Sequence, residues 1–255
     1  MELTQCHLDV ADFVATVTMD RPPVNAQNAR IREEMTFIFD SLSDRDDVRA
    51  IILTGAGKLF SAGADIKERP GIAKQPGDYI RHNRLTREFF YSIMECAKPV
   101  IAAVNGPAIG AGLAAMLMCD IMLIADTAYV SMPEIDVGLS GGNKMLMRFF
   151  SLPKAKLMFF TGERVPAAEL HRLGLVEAVL PQDQLMPRAH QIARRIAEKS
   201  PLAIKHAKRN FNTVETLSQR DGYRFEQDVT HELSKTEYAH EAQRAFIEKR
   251  KPVFK

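Results

Sequence analysis

Only three cysteines occur in the 255 residues, Cys6, Cys96 and Cys119, and they lie far apart, with no CxxC spacing and no histidine at ligand spacing beside them. That pattern excludes a zinc ribbon or a disulfide framework and fits a reducing compartment, so a cytoplasmic location and no metal are expected. Surplus charge is also missing: 34 Lys plus Arg stand against 32 Asp plus Glu. A net charge of +2 is too small to steer the whole chain onto nucleic acid or an anionic membrane surface. Long apolar runs are absent too, because Asp120, Asp126 and several prolines interrupt them before a membrane span is reached, and the start MELTQCHLDVADF has no basic segment. A chain without a targeting segment or membrane contact is the expectation. Repeats and low-complexity tracts are lacking as well.

What remains is a chain rich enough in apolar residues, 46%, to bury one sizeable core. Residues 13–19 read as a strand. Ile31, Met35, Ile38, Phe39 and Leu42 fall on one helical face, with Asn28 placed to cap it. Residues 48–54 (VRAIILT) and 99–104 (PVIAAV) are continuous, β-branched runs suited to strands covered on both faces. A charged helix is expected over 78–96, an apolar buried one over 110–118, and a strand over 120–125, which is the alternation of an α/β core. From Pro153 onward the pattern is helical almost throughout, with helices expected near 185–196, 201–216, 222–233 and 237–249. The division implied is a core of residues 1–190 and a helical C-terminal region of residues 191–255. That region is too thinly apolar to stand alone, and it packs on its own core or on a neighbouring subunit.

Two glycine-rich loops each follow a buried strand. One runs Leu59-Phe60-Ser61-Ala62-Gly63-Ala64-Asp65; the other runs Asn105-Gly106-Pro107-Ala108-Ile109-Gly110-Ala111-Gly112. Small residues let another group approach the backbone, and free N–H groups at such loops suit an oxyanion because their dipoles are fixed before charge develops. Either loop alone is ordinary turn chemistry.

Together, Phe-Ser-Ala-Gly-Ala-Asp-Ile-Lys at 60–67 and Lys-Pro-Val-Ile-Ala-Ala-Val-Asn-Gly-Pro-Ala-Ile-Gly-Ala-Gly-Leu at 98–113 closely resemble the crotonase, or enoyl-CoA hydratase/isomerase, superfamily. The likeness extends from Asp20-Arg21-Pro22 through Cys119-Asp120-Ile121, Met132-Pro133-Glu134 and Thr161-Gly162-Glu163 to residues 245–251. The resemblance implies an α/β crotonase (ClpP/crotonase-like) fold of repeated ββα units with a helical C-terminal trimerisation region. It implies a homotrimer or a dimer of trimers, and an acyl-CoA thioester as ligand, with no cofactor beyond the coenzyme A of the substrate.

Carried over position by position, the resemblance makes the N–H groups of Ala64 and Ala111 the oxyanion donors. It sets the carbonyl of Ala62 against adenine and Lys67 near the CoA phosphates, and brings Phe246 and Lys249 to the nucleotide end from an adjacent subunit. Gly63, Asp65, Ile66, Gly110 and Ala114 complete the expected substrate site. Position 111 is usually glycine in the family; alanine keeps the donor and adds a Cβ.

Glu134 aligns with one of two hydratase glutamates and is the expected acid/base. The other falls at Ala114, which puts a paired-carboxylate hydration in doubt. One glutamate suffices to move a proton between carbons, so hydration or double-bond isomerisation of an enoyl-CoA in fatty-acid or related acyl-CoA degradation is the expected activity. A hydrolase or decarboxylase of the same fold is an alternative. A silent CoA- or RNA-binding member, suggested by the stretch Lys205-His206-Ala207-Lys208-Arg209, is another, against which the balanced charge argues. Asp136 is two residues from Glu134, and a strand there would turn it to the opposite face.

Two further patterns compete. Gly138-Leu139-Ser140-Gly141-Gly142 fits GxSxG, with five histidines downstream, but no strong strand precedes the serine as a nucleophile elbow requires. Gly110-Ala111-Gly112-Leu113-Ala114-Ala115 fits GxGxxA, but its approach, NGPAI, is long for a dinucleotide turn. Met116, Met118, Met122, Met145 and Met147 read as core or acyl-pocket lining.

Overall fold

A computed structural model describes residues 1–254, the side chains of residues 69 and 70 apart. The chain opens with β1 (Cys6–Ala11) and β2 (Val14–Met19), then α1 (Ala29–Asp44), β3 (Ala50–Gly55), α2 (Asp78–Glu95), β4 (Val100–Val104), β5 (Ala108–Ile109), α3 (Ala111–Leu117), β6 (Ile121–Ala125) and β7 (Tyr129–Ser131). It continues with α4 (Asn143–Phe149), α5 (Leu152–Thr161), β8 (Val165–Pro166), α6 (Ala167–Arg172), β9 (Ala178–Leu180), α7 (Gln182–Ala197), α8 (Pro201–Val214), α9 (Gln219–Leu233) and α10 (Glu237–Ile247). Short 3₁₀ segments fill Ile66–Gly71 and Glu134–Val137.

Six strands form the main sheet in the order β1-β2-β3-β4-β6-β9, with β1 antiparallel to β2 and every other pair parallel. The parallel strands β3 and β4 are buried at every residue, as continuous Val/Ile/Leu runs covered on both faces require. Each fully buried Ile or Leu side chain contributes about 1.5–3 kcal/mol of transfer free energy. A smaller sheet, β5-β7-β8, is extended by the isolated pairings Ser61 with Ala108 and Gln27 with Ala64. Chain order is therefore long strand, short strand, helix, repeated: β4, β5 and α3 are one such unit.

The expected strands and helices of the first 125 residues are present, including α1 with Asn28 as its cap, whose side chain accepts from the Ile31 N–H. The tail is less purely helical than its composition suggests: the short strands β8 and β9 interrupt it, and β9 adds a parallel edge to β6. The division at residue 190 also shifts. Residue 190 lies inside α7, whose Leu185, Ala189, Ala193 and Ala197 are buried, and α7 packs on β2, β3, β4 and β6. α7 thus packs with the core, and α8, which Ser200 caps, follows it.

α8 is tied to the core by two side chains, Asn212, whose Nδ2 donates to the Met94 carbonyl at 2.9 Å, and Lys208. Lys208, 6% exposed, donates to the carbonyls of Ile93 (3.3 Å) and Lys98 (3.1 Å) and to Asp120 Oδ2 (2.8 Å). The same Asp120 oxygen accepts the N–H of Val100 at 2.7 Å, so the ion pair sits where β4 and β6 begin. Among the described residues no helix is long and apolar enough to cross a membrane, and no cluster of three His, Cys, Asp or Glu side chains could hold a metal.

Candidate active site

Both glycine-rich loops leave the C-terminal ends of parallel strands, β3 and β4, and meet edge to edge. The Ile109 N–H donates to the Ser61 carbonyl at 3.0 Å and the Ser61 N–H to the Pro107 carbonyl at 3.3 Å. Gly63 has φ of +87°, and a Cβ there would stand 2.5 Å from the Ile109 carbonyl oxygen and 3.2 Å from the Ala111 nitrogen. No side chain fits, so glycine is what lets the two loops touch.

Gln27 ties the loops together. Its N–H donates to the Gly63 carbonyl (2.7 Å), its carbonyl accepts from the Asp65 N–H (3.1 Å), and its side-chain Nε2 donates to the Ala111 carbonyl (3.1 Å). These bonds use the backbone groups flanking Ala64 and leave the Ala64 N–H out of the pairing. Ala111 is the first residue of α3, so its N–H has no partner within the helix. Among the described residues neither N–H donates to a protein acceptor, and both residues line one cavity of about 550 Å³.

Glu134 reaches the same cavity from the other side. β7 ends at Ser131, whose carbonyl accepts the Gly110 N–H at 2.9 Å, and the 3₁₀ turn after Pro133 then presents the glutamate. A Cβ on Gly110 would lie 2.6 Å from Glu134 Oε1, so the carboxylate rests against the backbone that leads into Ala111. Ala114, 3% exposed, lines the wall one helical turn on and presents a methyl to the cavity. Among the described residues Glu134 is the one carboxylate in the lining.

Asp136 lies on a 3₁₀ turn rather than a strand, because the Asp136 N–H closes the turn on the Pro133 carbonyl at 3.0 Å. It is exposed, lies outside the cavity lining and faces Gly162.

Of the other residues read from the sequence, Ala62, Gly63, Ile66 and Gly110 line the cavity, whereas Asp65, Lys67, Phe246 and Lys249 do not. Asp65 is a brace: it accepts from Arg21 Nη2 at 2.7 Å and from the Lys67 N–H at 3.0 Å. Partial burial pushes its carboxyl up, but those donors outweigh burial and hold it below the usual range. Phe246 is 86% exposed near the end of α10, distant in sequence from every lining residue. Ser140 of the GxSxG match lies on the cavity rim, after a 3₁₀ turn rather than a strand, so the nucleophile-elbow geometry is absent.

Sequence reasoning missed Gln27 and a polar group in the cavity lining. Arg32 is 2% exposed, and its Nη1 donates to Thr86 Oγ1 at 3.0 Å and lies 3.4 and 3.5 Å from the two ring nitrogens of His82. The signal was available: Arg32 interrupts the apolar face Ile31, Met35, Ile38, and Tyr79, His82, Asn83, Thr86 and Phe90 recur at helical spacing on α2.

The family model for enoyl-CoA hydratase/isomerase matches residues 10–255. The chain belongs to this family. Among curated members, a probable enoyl-CoA hydratase of Mycobacterium tuberculosis is 38% identical over 248 residues, covering 94% of each chain. A short-chain-enoyl-CoA hydratase of Clostridium acetobutylicum is 36% identical over 256 residues, covering 98% of this chain and 97% of the relative. The crystal structure of an enoyl-CoA hydratase from Bacillus anthracis superposes with a TM-score of 0.92 at 32% identity, covering 99% of each chain. The crotonase fold expected of an enoyl-CoA hydratase/isomerase family member is thus the fold observed.

Proposed function

We propose that the chain is an enoyl-CoA enzyme that holds the enolate oxygen of a thioester between the N–H groups of Ala64 and Ala111 and moves protons with Glu134. The observation that carries this reading is the convergence on one cavity of two uncommitted backbone donors and a carboxylate lying against Gly110, the residue before the second donor.

The chemistry follows from the inventory. Glu134 as carboxylate takes a proton from C2 of a 3-enoyl-CoA, the electrons pass into the thioester carbonyl, and the two N–H dipoles hold the resulting dienolate oxygen. The protonated Glu134 then returns the proton to C4, giving the 2-enoyl-CoA. One carboxylate balances this sequence, so double-bond isomerisation is the reaction that Glu134 with Ala114 supports best. Hydration is a second reading, favoured by the hydratase relatives: Glu134 would take a proton from water as it attacks C3 and give it back at C2. Coenzyme A enters as part of the substrate, and no other cofactor is needed.

The exposed aromatic Phe246, with Ile247 at 79% exposure beside it, supports assembly with further copies of this chain, as a homotrimer or a dimer of trimers.

Turnover of a 3-enoyl-CoA and of crotonyl-CoA tests the reading. Glu134→Gln should lower turnover about 10²–10⁴-fold while an unreactive acyl-CoA still binds within a few-fold of wild type. Activity untouched by that substitution defeats the assignment of Glu134.

A further inference from the structure

The cavity has a wet side and a buried side. Ile66, Tyr79 and Val137 are 44%, 45% and 48% exposed and form its rim, whereas Arg32, Phe90, Ala114 and Met132 are at most 6% exposed and form its floor. Coenzyme A is long and highly charged and must leave through the rim, so whatever reaches the floor is the acyl group. A floor for a plain alkyl chain would be apolar throughout. Here it carries a guanidinium, which stays charged at every working pH and whose burial costs several kcal/mol. Two successive turns of α2 supply polar neighbours to it, the half-buried His82 and Thr86. The Thr86 hydroxyl in turn donates to the His82 carbonyl at 2.9 Å, which holds its oxygen ready to accept from Arg32.

We propose that this floor is a subsite for a carboxylate at the far end of the acyl group, so that the preferred substrates are monothioesters of dicarboxylic acids. The inference rests on the acyl-CoA reading above and deepens it. The planar fork of Arg32 matches a carboxylate, and charge-assisted hydrogen bonds of this kind are the strong ones in a water-poor site. The arrangement also divides labour by charge. Glu134 works at the reacting carbons beside Gly110, and Arg32, set against His82 and Thr86 in the same lining, draws the acyl carboxylate to itself and so fixes the chain's register.

Binding of two saturated, unreactive thioesters of equal carbon count, glutaryl-CoA and pentanoyl-CoA, tests it by calorimetry. The wild-type protein should bind glutaryl-CoA at least about 10-fold more tightly than pentanoyl-CoA. In Arg32→Met, checked for folding by circular dichroism, the ratio of the two affinities should fall below about twofold. The wild-type ratio alone decides the matter should that variant not fold. Equal or tighter binding of pentanoyl-CoA by the wild type overturns the subsite and leaves the acyl-CoA reading standing. Binding of neither thioester overturns both.

Discussion

Oε1 of Glu134 lies 2.6 Å from the point where a side-chain carbon on Gly110 would stand. Gly110 also has φ of +53° and ψ of −117°, values that L side chains rarely adopt. Gly110→Ala therefore meets two costs, backbone strain of about 1–3 kcal/mol and displacement of the carboxylate. We expect turnover to fall about 10²-fold or more, with a measurable drop in melting temperature. Wild-type kinetics in the folded variant would show that Glu134 is not held by this contact.

Ala114 offers the converse experiment. It sits on the cavity wall in the first turns of α3, and Ala114→Glu supplies the second carboxylate that the wild-type wall lacks. The ratio of crotonyl-CoA hydration to 3-enoyl-CoA isomerisation should rise by about 10-fold or more, because water addition gains a second proton-transfer group. Stability should fall, since the new carboxylate enters a buried position. A ratio that does not move would mean that water activation in this cavity depends on Glu134 alone.

A separate prediction concerns pH. Glu34, fully buried on α1, accepts from the N–H and hydroxyl of Thr4 (2.9 and 2.7 Å), the N–H of Gln5 (2.9 Å) and Arg30 Nε (2.6 Å). Burial by itself would push the carboxyl up; the Gln5 and Thr4 donors and Arg30 reverse that and bring it down to about 2 from 4.5. Because the folded value is the lower one, the stabilisation is fully present above about pH 4.5 and is lost as pH falls toward 2. The shift corresponds to about 3 kcal/mol. Urea unfolding at pH 7 and pH 3 should show about 2 kcal/mol of this loss in the wild type, the rest following below pH 3, and Glu34→Gln should be less stable at pH 7 and flatter between the two. Equal slopes for both proteins would rule out Glu34 as the source.

The sequence made the buried strands legible because β3 and β4 are covered on both faces and so read as unbroken apolar runs. It made Asn28 legible as a cap because that chemistry is local. β5, β7 and β8 were hidden: with two or three residues each, they exist through pairing across the fold and leave no period to read. In the site, Ala64, Ala111 and Glu134 were found by resemblance to a motif. Gln27 and Arg32 were not, because their roles come from partners far along the chain, Ala111 for one and Thr86 for the other.

Gln27 has a consequence for when the site comes into being. Its bond to the Ala111 carbonyl spans 84 residues, and its backbone pairs with a loop that neither α1 nor α3 contains. The gap between the two N–H donors is thus gauged by a third segment, so a partly folded chain with both glycine-rich loops formed would still lack a calibrated site. Acyl-CoA binding during refolding should accordingly report completion of the long-range contacts and lag behind the appearance of helix.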